Sequence, residues 1–231
     1  MTLNGKCVLI TGAKGGLGSY VTNAFLDAGA SVVGVSRSIR DADFANPNFS
    51  AEQAEINGSA SATALVERAL AKLGRMDALV HLVGGFAGGQ TVDATDDATL
   101  DRMLDMNFKS AFYLLRAVLP LMRGAGGGHI LAIGSRAAVE QQAMAGAYAA
   151  SKAALVSLIH AVALENKDAK VSANIILPAT MDTPANRSAM PSADFSTWVQ
   201  PAEVAGLLVH LAASQPGQIS GAVIPIYGGG L

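Results

Sequence analysis

The 231 residues suit one α/β core, with 51% hydrophobic residues, only 15% charged ones and a formal net charge of −2. A pI of about 6.1 excludes the basic field that nucleic-acid binding requires. The single cysteine, Cys7, excludes an intramolecular disulfide and suits a reducing cytoplasm. A mean hydropathy of +0.35 is high for a soluble monomer and points to helices covered partly by a partner subunit. Residues 1–6 lack the basic-then-apolar layout of a secretory leader. No unbroken apolar run approaches the ~18 residues of a membrane span. A soluble cytoplasmic protein with no membrane partner is expected.

Strand and helix patterns alternate along the chain. Cys7–Ile10 is a buried strand, followed by glycines; residues 18–28 carry helical apolar spacing and stop at Gly29. Val32–Val35 is a second strand, residues 41–50 are irregular, and a faint third strand lies near 49–56. Residues 62–73 read as a helix ending at Gly74, and 78–83 as a fourth strand. A long helix is predicted over 100–122, a fifth strand over 129–133, a second long helix over 146–166 and a sixth strand over 171–177. A proline-opened helix over 201–212 and a strand over 222–226 complete the chain. Short apolar strands separated by helices imply a doubly wound, Rossmann-type parallel sheet of about seven strands, covered on both faces. Such sheets bind ligands at the carboxyl ends of their strands. Residues 1–231 are expected to form one dinucleotide-binding domain. The stretch 179–200 lacks periodicity and follows a strand end, which makes it a candidate substrate lid.

Two groups of residues carry the chemistry. The first is the turn Thr11-Gly12-Ala13-Lys14-Gly15-Gly16-Leu17-Gly18 after the first strand. Glycines there allow close approach of backbone to a pyrophosphate, and the next helix points its free N–H groups and positive dipole end at the same place. The second is Ser135 with Tyr148 and Lys152. Tyr148 and Lys152 are one helical turn apart and share a face. A free tyrosine, with a pKa near ~10, is a poor base at neutral pH; a neighbouring ammonium favours its phenolate. Each residue alone reads as packing, a solvated lysine or a turn serine. Together they point to hydride transfer at a carbonyl or alcohol, with Tyr148 passing the proton. His81, His129, His160 and His210 show no metal-ligand spacing, and no metal is expected. His81 reads as a strand-end packing residue.

The turn TGAKGGLG resembles that of the short-chain dehydrogenase/reductase family, whose pattern is Thr-Gly-x3-Gly-x-Gly. Gly84-Gly85 after strand four, Asn107 in the long helix, Ser135, Tyr148 and Lys152 follow in the family's order, as do Asn174, Pro178 and Thr183. The likeness covers essentially the whole chain. It implies an NAD(P)-dependent oxidoreductase with Asn107, Ser135, Tyr148 and Lys152 as the catalytic set. Ser135 would hold the substrate oxygen, Lys152 the nicotinamide ribose hydroxyls, and Asn107 a water relaying protons to Lys152. The implied cofactor contacts are Gly12, Lys14, Gly15, Gly16, Leu17 and Gly18 in the turn and Ser36 and Arg37 after strand two. Gly84, Gly85, Tyr148, Lys152, Pro178, Met181 and Thr183 complete them, with Glu55-Ile56 near the adenine.

The strand-two end normally meets the adenosine ribose. It holds Ser36 and Arg37 with Lys14 near, and no carboxylate. NADP(H) is therefore favoured, with NAD(H) open.

The loop Val83–Gly89 and the segment from Thr180 through Trp198 are similar to those of dihydropteridine reductases. Ser135 and Asn107 depart from that subgroup and favour a true carbonyl or alcohol substrate. Reduction of a quinonoid dihydropterin is the alternative; a non-catalytic dinucleotide-binding protein is a minor one. An apolar pocket walled by Phe86, Met144, Trp198 and Met190 is expected. The family likeness implies that the two long apolar helices pair across a two-fold axis in a homodimer or homotetramer, and the tail Ile224–Leu231 also suits an interface.

Overall fold

The computed structural model describes residues 1–229. Seven strands form one sheet in the order β3-β2-β1-β4-β5-β6-β7. They are β1 Cys7–Thr11, β2 Ser31–Ser36, β3 Phe49–Gln53, β4 Ala78–His81, β5 Gly128–Ile133, β6 Val171–Pro178 and β7 Val223–Ile226. Every neighbouring pair is parallel. The helices are α1 Gly18–Asp27, α2 Ser59–Leu73, α3 Asp97–Leu104, α4 Ser110–Gly124, α5 Gly146–Glu165, α6 Pro184–Ala189 and α7 Pro201–Ala213.

Alternation along each strand divides the core into two layers. Leu9, Leu79, Ile130 and Ile175 face α2, α4 and α5, packing on Leu65, Leu114 and Leu155. Val8, Ile10, Val80 and Leu131 face α1 and α7, packing on Phe25, Val204 and Leu208. Burying a side chain of this size stabilises the fold by roughly 1.5–3 kcal/mol. Because both faces are covered, the apolar strands β1, β4, β5 and β6 are buried throughout, whereas the edge strand β7 is half-exposed.

The sheet order reverses between β1 and β4, whose ends are level: Thr11 is opposite His81. That switch point opens the crevice in which the functional residues collect.

Three elements differ from the sequence expectation. The helix expected over 100–122 begins at Asp97 and is broken by a π turn, Asp105–Lys109, between α3 and α4. A period-3.6 pattern carries no mark of one inserted residue, and such turns recur at functional sites. Strand β4 ends at His81, releasing Leu82 and Val83 to cover the first turn. The stretch 179–200 holds α6, a bridge between Met181 and Val199, and a short turn at Phe195–Thr197. Among the described residues α5 is the one helix long and apolar enough to span a bilayer, with a mean hydropathy of 1.5 in an 18-residue window. It packs instead against β6, α3 and the turn after Ser135. Of the tail expected at an interface, Gly230 and Leu231 lie outside the described residues.

Candidate active site

The turn after β1 is built so that backbone, not side chain, lines it. Gly12 sits at φ +73°, and a Cβ there would lie 3.1 Å from the Leu82 carbonyl carbon. A Cβ on Gly18 would run into the Gly12 carbonyl oxygen, and one on Gly16 would lie 3.2 Å from the Thr183 side chain. No side chain caps α1; the Ser19 N–H turns back to the Gly15 carbonyl at 3.0 Å, and the positive end of the helix faces the turn, as suits an anion. A cradle that a Cβ would fill fits the pyrophosphate of a dinucleotide. Thr183, expected from sequence to contact the cofactor, stands directly on the cradle. It also caps α6 by accepting the Asn186 N–H at 3.3 Å. Met181 is held by its bridge to Val199, and Pro178 closes β6.

At the adenosine end the geometry corrects one expectation. No carboxylate ends β2, but Asp43 reaches back from the following loop and pairs with Lys14 at 2.8 Å. Asp43 also accepts the Arg40 N–H at 2.9 Å. The Lys14 hydrogen bond is the largest reason its carboxyl is held below the usual carboxylate range. Lys14 is thus engaged, whereas Arg37 is exposed and has no side-chain partner among the described residues. Ser36 is half-buried beside Gln53. The strand ends before Glu55-Ile56, which follow Gln53 by two residues.

Ser135 follows β5 in extended backbone and caps the next turn, accepting the Ala137 N–H at 3.2 Å. Tyr148, in the first turn of α5, is near enough to the Ser135 hydroxyl to be lowered in pKa by it. Burial raises the phenol above its ordinary pKa and outweighs the lowering by Ser135. The Lys152 ammonium is turned to the Ile133 carbonyl, donating at 3.0 Å. Burial lowers its pKa to about 8. Gly84 explains how these groups come so close: a Cβ there would lie 2.7 Å from Asn107 Oδ1 and 3.1 Å from Lys152 Nζ.

Asn107 lies in the π turn and is fully buried. Its Oδ1 accepts the Gly85 N–H at 2.9 Å, while Nδ2 donates to the Gly85 carbonyl and to Ser151 Oγ, both at 3.0 Å. With both donors used, a relay water would have to take the remaining Oδ1 lone pair or a backbone carbonyl of the π turn. Ser151, not singled out from sequence, passes the contact on by donating to the Tyr148 carbonyl at 2.7 Å. Its only sequence signal is a hydroxyl three residues after Tyr148 in an alanine-rich helix.

His81 is more than strand-end packing. Ser110 Oγ donates to the Met106 carbonyl at 2.7 Å, so it accepts from His81 Nε2–H at 3.3 Å. His81 Nδ1 then accepts the Thr11 hydroxyl at 2.9 Å, which assigns the tautomer by its network. Burial first, and the Lys152 charge second, lower its pKa to about 3, so it is neutral. The imidazole ties the end of β1 to the π turn that carries Asn107.

Around this centre the rim is apolar. The Phe86 ring meets the Tyr148 ring edge-on at 4.9 Å. Phe86, Met144 and Met190 are exposed, and Trp198 is half-buried against Phe195.

The family model described as short chain dehydrogenase matches residues 6–194. The chain belongs to the short-chain dehydrogenase family. The chain is 32% identical to the 7alpha-hydroxysteroid dehydrogenase of Escherichia coli (strain K12), over 100% of its own length and 96% of the relative's. It is similar in structure to a 3-ketoacyl-(acyl-carrier-protein) reductase from Brucella melitensis complexed with NADH. That likeness has a TM-score of 0.89 and 26% identity, with 100% of both chains covered. It shares its fold with ElxO with NADP bound, at a TM-score of 0.90 and 23% identity over 97% of this chain and 98% of that one. The chain is thus an oxidoreductase with the family's NAD(P)-binding Rossmann fold.

Proposed function

We propose that this dehydrogenase interconverts a carbonyl compound and its alcohol, with Tyr148 as the proton donor in reduction and acceptor in oxidation. The observation that carries the reading is that Ser135, at the end of β5, stands close enough to the Tyr148 phenol to lower its pKa, with Lys152 one turn along the same helix. When bound, the nicotinamide dinucleotide supplies or removes the hydride at carbon. The Ser135 hydroxyl donates to the substrate oxygen, and the neutral Tyr148 phenol gives that oxygen its proton. A phenol kept protonated by burial is poised for the reductive direction. Lys152 holds the nicotinamide ribose hydroxyls and Asn107 keeps Gly85 and Ser151 in place behind them. The cradle at Gly12–Gly18, with Thr183, binds the pyrophosphate.

NADP(H) is the favoured cofactor, because the unpaired Arg37 supplies a fork for a 2′-phosphate while Asp43 is taken up by Lys14. The residues 179–200 close over the substrate as a lid of the single domain. In support, the Arg187–Asp182 pair and the Arg187 guanidinium, 4.6 Å from the centre of the Phe195 ring, tie the lid's parts together. The exposed Leu164 and Phe112 and the all-round apolar α5 support a homodimer or homotetramer through α4 and α5. The buried Cys7 thiol, raised in pKa mainly by burial, suits a reducing cytoplasm.

Following NADPH and NADH oxidation against aryl ketones, a steroid ketone, a ketoacyl thioester and quinonoid dihydropterin tests the reading. Turnover of carbonyls with NADPH supports it. Turnover of the dihydropterin alone replaces it, and no turnover at all returns the protein to a binding role.

A further inference from the structure

Beside the start of α5 lies a half-open cavity of about 200 Å³, lined among others by Gly88, Gln90, Thr99, Arg102, Met144 and Ala147. It adjoins the reacting centre on two sides. Ala147 precedes Tyr148, and the Phe86 ring that meets Tyr148 at 4.9 Å lies over Gly88, where a Cβ would sit 2.7 Å from the ring's Cζ. One aromatic ring therefore separates the reactive phenol from the cavity. Two features show that the wall is built rather than incidental. Met144 holds φ +63°, a left-handed conformation costing roughly 1–2 kcal/mol for an L residue. Its carbonyl is clasped by the Gly89 N–H at 2.8 Å. Strain held by a clasp at the mouth of a site is a mark of function.

Arg102 is the one charged side chain among the residues that line the cavity. Arg102 and Gln90 make no side-chain hydrogen bond or ion pair among the described residues, although, after the Thr99 hydrogen bonds, the Arg102 charge helps hold the neighbouring Asp96 carboxyl below its usual range. The nearby Asp96 carboxylate is occupied as the cap of α3, accepting the Thr99 N–H at 2.7 Å. Asp105, further along, is paired with Lys109 at 2.7 Å. A guanidinium whose N–H fork makes no hydrogen bond, with an amide lining the same cavity at the end of an apolar wall, matches a carboxylate bidentately.

We propose that this cavity is the subsite for the acidic end of the substrate: an aromatic or otherwise apolar carbonyl compound whose carboxylate is received by Arg102 and Gln90. Its body lies against Phe86 and Met144, which places its carbonyl at Tyr148. This rests on the carbonyl reading above and narrows it to acidic substrates. Phe86, 71% exposed without a ligand, is then covered by the substrate.

The probes are 4-acetylbenzoate and its neutral isostere 4-acetylbenzamide, in which a phenyl ring separates the ketone from the charge. Calorimetric titration of each into the NADP⁺-bound dehydrogenase reads binding without turnover. The acid is expected to bind at least tenfold more tightly than the amide. Arg102→Gln should abolish that preference while leaving amide affinity unchanged, and Arg102→Lys should retain part of it. Equal affinities in the native protein overturn the proposal, as does a preference that survives Arg102→Gln. A change of oligomeric state in that variant with affinities unchanged overturns it too, since Arg102 would then serve an interface. Turnover with NADPH separates this from the carbonyl reading. Reduction of both ketones without an advantage for the acid removes the subsite alone. Selective binding of the acid with neither ketone reduced removes the carbonyl reading alone.

Discussion

Two buried histidines stand at opposite ends of the same sheet. His81 closes β4 at the carboxyl edge and has both ring nitrogens engaged, by Thr11 and Ser110. His129 opens β5 at the amino edge, and its Nδ1 has no partner. Burial lowers the pKa of each. The difference lies in what surrounds them. At the carboxyl edge, side-chain hydrogen bonds run from Thr11 through His81 and Ser110 to the π turn, and from Asn107 through Ser151 to Tyr148. At the amino edge, Asp77 ties strands together, accepting the Cys7 N–H at 2.9 Å and pairing with Arg75 at 2.6 Å. One edge uses polar groups to hold the proposed catalytic groups in place; the other uses them to hold the chain in place.

That contrast can be broken by substitution. The largest expected effect is at the carboxyl edge: Tyr148→Phe should cut kcat by about 100- to 10,000-fold while cofactor affinity, read by fluorescence titration, stays put. Full activity in this variant would sink the catalytic assignment. At the amino edge, Asp77→Ala should cost about 1–3 kcal/mol in denaturant unfolding, since it orphans the buried Cys7 N–H, with kcat unchanged. A loss of kcat without a loss of stability would erase the distinction.

Arg37→Gln should raise KM for NADPH about tenfold, the loss of roughly one charge-assisted contact, and leave KM for NADH as it was. An equal effect on both cofactors would show that Arg37 does not read the 2′-phosphate.

His81→Asn sharpens the comparison through pH. Below the ordinary 6.5, an unfolded His81 binds a proton that the folded one refuses until about pH 3. The native protein therefore loses stability as pH falls from 6.5 toward 3, by at most about 1.4 kcal/mol per pH unit. The substitution should flatten that slope and lower kcat a few-fold, with KM for cofactor little changed. Retention of the full slope would assign the acid sensitivity elsewhere. The smallest effect is expected from His129→Leu, which removes an unsatisfied polar atom. Unfolding should show stability unchanged or slightly raised, and kcat the same; a drop in kcat would mean that the amino edge reaches the site.

Much of the fold is legible in the sequence because its signals are local. The apolar runs at 7–10, 78–83 and 129–133 mark buried strands, the second of them two residues too long, and Gly74 marks the end of α2. The third strand is faint, because β3 alternates Phe49-Ser50-Ala51-Glu52-Gln53 at the sheet edge with one face half exposed. The π turn is invisible to periodicity. Of the site, Ser135, Tyr148 and Lys152 announce themselves by type and spacing. Ser151, Ser110 and Thr11 do not, since a hydroxyl in a helix or at a strand end has many ordinary uses. Lys14 shows the converse: its place in the glycine turn is read from sequence, but its pairing with Asp43 depends on a loop 29 residues away.

By itself, then, the sequence determined the order of strands and helices, the backbone cradle after β1 and the trio of serine, tyrosine and lysine. These rest on period, turn chemistry and spacing within a few residues. Only the tertiary structure decided which groups those residues meet. It set Thr183 on Gly16, turned Lys152 to the Ile133 carbonyl, joined His81 to the π turn and placed the Arg102 cavity one ring away from Tyr148. Such contacts form between segments far apart in the chain, and the physical cause is the parallel sheet. It gathers the ends of non-consecutive strands at one edge, where no local pattern records who the neighbours will be.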